Sequence, residues 1–186
     1  DALGWVERSI SNTTLLASAV AVADLDGDGD PDVAAAAAAD GTIEWHENTS
    51  GDATAWTDHP VGGSAGFVRS IRIADADADG DGDLFVASAA DDTVAWFENT
   101  AGDGSTWTRR VINSLAEMAA SVFVADLDGD GAPDVLSASS GDDRVTWYPN
   151  LGGQVRLTTE DTAPLAVAEG SGVVPLAIEL RHNGRA

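Results

Sequence analysis

Short apolar runs, several of them alternating with polar residues, recur along most of the chain and are separated by turn-forming clusters. In the first stretch they are Trp5 to Ile10, Ala19 to Ala23, Val33 to Ala38 and Thr42 to Glu47. Val20 and Val22 alternate with alanines, and Ile43 and Trp45 with polar neighbours, which is the two-residue period of a strand. The intervening segments carry turn chemistry: an Asp/Gly window at 24–32, Ala-Asp-Gly at 39–41, and Asn-Thr-Ser-Gly-Asp at 48–52. No 3.6-residue periodicity is long enough to predict a helix. Ala34 to Ala39 favours helix by propensity alone, but its counterparts at 85–88 and 136–139 are poor helix formers. A strand of small side chains, squeezed between neighbouring sheets, is the expectation.

The runs repeat. Trp5, Trp56 and Trp107 are 51 residues apart, as are Asp24, Asp75 and Asp126, then Trp45, Trp96 and Trp147, then Asn48, Asn99 and Asn150. Four strands in each such period predict an all-β fold of β-propeller blades, each blade a four-stranded antiparallel sheet. The repeat units are 1–51, 52–102 and 103–153, with 154–186 a different segment. Each Trp strand is expected to close the outer edge of the preceding blade, which leaves Trp5 to Ile10 an orphan. Three blades do not close a ring of the usual four to eight. The chain is therefore expected to complete one with other blades, and its start at Asp1 without Met reads as a piece of something longer.

Charge sharpens this picture. Among 186 residues the formal net charge is −23, every basic side chain is Arg, and cysteine is absent. Such a surface repels nucleic acid and anionic membranes, and no apolar run approaches the roughly 18 residues of a membrane span. Thiolate metal sites are excluded. Fourteen of the 32 acidic residues lie in three windows, so the charge is not general solubilisation.

Those windows read Asp24-Leu-Asp26-Gly-Asp28-Gly-Asp30-Pro-Asp32, Asp75-Ala-Asp77-Ala-Asp79-Gly-Asp81-Gly-Asp83 and Asp126-Leu-Asp128-Gly-Asp130-Gly-Ala132-Pro-Asp134. Calcium is a hard cation that takes six to eight oxygens, and carboxylates at positions 1, 3 and 5 of a tight loop converge on one point. Glycine at position 6 permits the sharp turn. Ala132 has no side-chain oxygen, so Asp30, Asp81 and Ala132 at position 7 are assigned main-chain ligation. Asp32, Asp83 and Asp134 at position 9 supply the closing carboxylate. An EF-hand would need Glu at position 12, where Ala35, Val86 and Ser137 stand instead. Magnesium prefers its own waters to a protein cage. Without a cation, four or five carboxylates in nine residues would repel one another. Three calcium ions, one per repeat, are expected.

These loops, the preceding Val-Ala-Val-Ala-Asp and Val-Phe-Val-Ala-Asp strands, and the trailing Trp-Phe-Glu-Asn and Trp-Tyr-Pro-Asn strands resemble the FG-GAP/VCBS repeat family, known from the propeller of integrin α subunits. The resemblance covers residues 1 to about 153. It implies that each Asp loop joins the first and second strands of a blade and holds calcium structurally, with no catalysis. It also implies an extracellular or cell-surface setting and a partner-binding face opposite the metal loops. The loops at Ser11–Ser18, Gly62–Val68 and Asn113–Ala119, with Asp91, Asp92, Asp142 and Asp143, are expected there.

No nucleophile motif or phosphate loop joins the remaining polar residues, so no catalytic or organic-cofactor site is assigned. His46, His59 and His182 are scattered. Glu44, Glu47 and Glu98 are expected to point outward and be solvated. Regular spacing marks the Trp residues as packing elements rather than sugar platforms. For Arg69 and Arg72, pairing with Asp loops and lining a central channel both stay open. After Gly153 the period lapses. Gln154 to Leu157 is expected as a degenerate outer strand, followed by a linker and by Val174, Leu176, Ile178 and Leu180, which faintly resemble the start of a Calx-β sandwich. The expected role is adhesion, recognition or assembly, with a protein partner or further copies of the chain. A fibre subunit joined by strand exchange, and the sugar-binding propeller of a secreted polysaccharide-active enzyme or lectin, are the competing readings.

Overall fold

The computed structural model describes residues 4–38, 40–62 and 66–151. The chain divides into two units, Asp1–Gln154 and Val155–Ala186, and the second lies outside the described residues. So do the expected strand at 154–157 and the Calx-β-like tail.

Eleven strands and no helix occur among the described residues. The first blade is β1 (Ala17–Ala23), β2 (Asp32–Ala37), β3 (Ile43–Glu47) and β4 (Thr57–Pro60), hydrogen-bonded in that order. The second is β5 (Val68–Ala74), β6 (Asp83–Ser88), β7 (Thr93–Asn99) and β8 (Trp107–Asn113). The third has three described strands, β9 (Ala119–Ala125), β10 (Asp134–Ser139) and β11 (Arg144–Tyr148). All neighbours are antiparallel. This is the all-β, blade-like architecture the repeat predicts.

The alanine run is a strand as far as Ala37, while Ala38 lies in a turn and Ala39 outside the described residues. Ala34, Ala36 and Ala37 are fully buried, and Ala34 and Ala36 belong to the core shared with the second blade. As expected, the strand following Trp56 completes the first sheet and that starting at Trp107 completes the second. The expectation fails for Trp5 to Ile10, which is not a strand, and Trp5 is 95% exposed. Among the described residues no strand pairs with it to form a ladder.

Two apolar clusters join the blades. Leu25, Ala34, Ile43 and Trp45 of the first meet Ile71, Leu84, Val86 and Phe97 of the second. Phe85, Ala87 and Val94 then meet Ala119, Val122 and Val135 of the third. Among the described residues, Val20 and Val22 of the first blade and Phe123, Val145 and Trp147 of the third are exposed apolar side chains.

The hairpin geometry places the Asp windows and the β3–β4 type turns on one rim. The other rim is tied by backbone bonds such as Gly141 to the Glu117 carbonyl at 2.9 Å, and by the Met118 amide to Asp92 Oδ1 at 2.7 Å.

Candidate metal centre

Each Asp window connects the first and second strands of a blade. Position 1 organises the loop: Asp24 accepts the amides of Gly27 and Gly29 at 2.8 and 2.9 Å. Asp126 does the same for Gly129 and Gly131, and Asp75 for Asp79 and Gly80. These bonds curl the chain so that its carboxylates converge. Glycine at position 6 takes φ of +95° at Gly29, +101° at Gly80 and +93° at Gly131, a region closed to most side chains.

Position 9 is the buried anchor. Asp32 Oδ2 accepts the Leu25 amide and Oδ1 the Asn48 amide, both at 2.9 Å. Asp83 repeats this with Ala76 and Asn99, and Asp134 with Leu127 and Asn150. All three are essentially inaccessible.

The loops bring together Asp24, Asp26 and Asp32, then Asp75, Asp77 and Asp83, then Asp126, Asp128 and Asp134. In each triad one oxygen per residue lies within 4.8 Å of the others. Thus positions 1, 3 and 9 of the sequence assignment converge. Position 5 is outside these triads: Asp28, Asp79 and Asp130 accept the amides two residues on, from Asp30, Asp81 and Ala132. At position 7 the Asp30 and Asp81 side chains lie over Gly51 and Gly102 of the adjoining turns.

Electrostatics follow from burial and crowding. Burial, with neighbouring carboxylates adding to it, pushes the carboxyls of Asp26, Asp32, Asp77 and Asp83 up. Asp81, desolvated and beside Asp79 and Asp83, is raised to about 6. Asp134 differs: burial again pushes it up, but N–H donors from Asn150, Leu127 and the Trp147 indole outweigh this and hold it low. Donor sets made only of carboxylate oxygens converging on one point suit a hard divalent cation.

Sequence reasoning missed the link between blades. Asn99 Nδ2 donates to the Leu25 carbonyl, and Asn150 Nδ2 to the Ala76 carbonyl, both at 2.9 Å. Their 51-residue spacing was the available signal. It also missed ion pairing. Glu47 bonds His59 Nε2 at 2.7 Å and Glu98 pairs with Arg110, so neither is simply solvated. His46 is buried against Asp58 at 2.7 Å, and His59 stacks on Trp45. Arg69 lies over the Phe67 ring and Arg72 donates to the Ile71 carbonyl.

Repeat geometry, strand order and Asp loops together define a blade of the propeller type. The family model for the FG-GAP-like repeat matches residues 24–86 and 77–137. The chain belongs to that family, whose repeats are generally non-catalytic structural or recognition modules. No curated protein matches the chain.

Proposed function

We propose that each Asp loop binds one calcium ion and that the chain is a calcium-stabilised segment of an extracellular β-propeller serving recognition, adhesion or assembly. The observation carrying this reading is threefold convergence: three aspartate triads, identically placed, each with oxygens inside 4.8 Å. Asp24, Asp26 and Asp32, with their equivalents, supply carboxylates, and position 7 is assigned the main-chain oxygen. Calcium there neutralises crowded carboxylates and locks the turn between two strands, so metal binding adds to folding stability.

Calorimetric titration tests this. Three calcium ions per chain are expected, with magnesium binding more weakly. Asp26→Asn should remove one of the three. Absence of binding at millimolar calcium would sink the reading.

A second reading, assembly of copies head to tail, is favoured by the exposed apolar side chains of the first and third blades, where Val20 and Val22 are each 62% exposed and Phe123 56%. Apolar sheet faces of this kind mark protein interaction sites. Sedimentation at rising concentration checks it, since a chain that stays monomeric throughout has no such assembly.

A further inference from the structure

The three candidate metal loops are not isolated. The Leu25 amide bonds Asp32, while the Leu25 carbonyl accepts Asn99 Nδ2 from the next blade. The Asn99 amide bonds Asp83 Oδ1, and Asp83 Oδ2 accepts the amide of Ala76. The Ala76 carbonyl then accepts Asn150 Nδ2, and the Asn150 amide bonds Asp134. Every group in this line is main chain, Asp at position 9, or Asn. It runs from the first loop to the third without a gap.

We propose that Asn99 and Asn150 are positioning residues that couple the metal sites of adjacent blades, so that filling one loop raises the calcium affinity of its neighbour. The proposal rests on the calcium reading above. Ion binding fixes the position-9 carboxylate, which holds both the position-2 amide of its own loop and the amide of the Asn. That Asn in turn holds the position-2 carbonyl of the preceding loop. Order imposed on one loop therefore lowers the ordering cost at the next, and the effect is reciprocal. Leu25 is 1% exposed and Asn99 0%, so water does not compete for the bond between them and its loss is felt in full, while the Asn150 bond to Ala76 is part-buried.

The first blade supplies an internal control. Asn48 accepts the Ala53 amide through Oδ1 at 3.0 Å, as Asn99 accepts that of Gly104 at 3.0 Å. Its Nδ2, however, turns to Pro31 of its own loop at 3.4 Å. Asn48 thus has the local role of Asn99 without the bond between blades.

The experiment is a calcium titration of the full chain followed by the amide resonances of Gly27 and Gly29 in the first loop and Gly80 in the second. Asp77→Asn disables the second loop while leaving Asp83 and the bond line in place. Its expected effect is a first-loop affinity about fivefold weaker or more, the lower end of usual coupling. Asn99→Ala should weaken the first loop alike and abolish that dependence, whereas Asn48→Ala should leave the dependence intact. First-loop midpoints indifferent to Asp77→Asn would overturn the coupling. Equal loss of the dependence in Asn48→Ala would overturn the assignment to Asn99. If no glycine amide responds to calcium at all, the underlying reading of the loops fails instead, a result distinct from independent filling.

Discussion

The turn that follows the third strand occurs in the first and second blades with nearly the same backbone and opposite surroundings. Ala53 and Gly104 are 51 residues apart, have φ of 61° and 68°, and bond the Asn of their own turn alike. Ala53 is exposed, while Gly104 is buried under Trp45 of the preceding blade. A Cβ on Gly104 would stand 2.5 Å from that ring, and Trp45 Nε1 donates to the Gly104 carbonyl at 3.1 Å. At the first turn no described blade precedes, and alanine is tolerated. Identical local geometry thus acquires a strict residue requirement only where another blade arrives.

On the proposed calcium reading, chelation should break this contrast most thoroughly, because Leu25, the loop residue beside the junction, is held by Asp32. Chelation is expected to lower the melting temperature sharply. The loss is about 2.7 kcal/mol per site when calcium had been at 100 times its Kd, read by calorimetry with and without chelator.

Gly104→Ala comes next. Overpacking against Trp45 plus a left-handed alanine should cost about 2–4 kcal/mol, and a compensating Trp45→Ala should recover part of it in a double-mutant cycle. Ala53→Gly should change stability by under about 1 kcal/mol. Urea midpoints for the pair measure the contrast directly.

A smaller effect separates Asn99→Ala from Asn48→Ala. Both lose a turn bond, but only the first loses the bond to Leu25, so it should be the more damaging by about 1 kcal/mol.

The smallest expected effect is on pH dependence without metal. Asp81 is raised to about 6 in the folded chain, against about 3.9 when unfolded. The folded state then binds more protons across that window, so its stability is highest below the unfolded value and falls as pH rises through 6. Metal-free protein should melt higher at pH 5 than at pH 7.5, and calcium should cancel the difference. A metal-free melt that rises from pH 5 to 7.5 would contradict it.

Much of this was legible in the residues. Alternating runs, turn clusters and the unbroken 51-residue step determined strand order, blade type and the three Asp loops, because those features depend on local periodicity and turn stereochemistry. The convergence of positions 1, 3 and 9 was contained in the predicted ligand set. What the residues did not reveal was that Asn99 and Asn150 reach back to the preceding blade, that Glu47 and Glu98 are paired, and that Trp5 to Ile10 forms no strand. Each depends on which neighbour a segment meets. A strand needs a ladder, a buried amide needs a carbonyl, and a glycine becomes obligatory only when a ring packs on it. Sequence alone determined the repeated unit; only tertiary structure decided what joins one unit to the next, since contacts between residues 59 or 74 positions apart leave no local pattern.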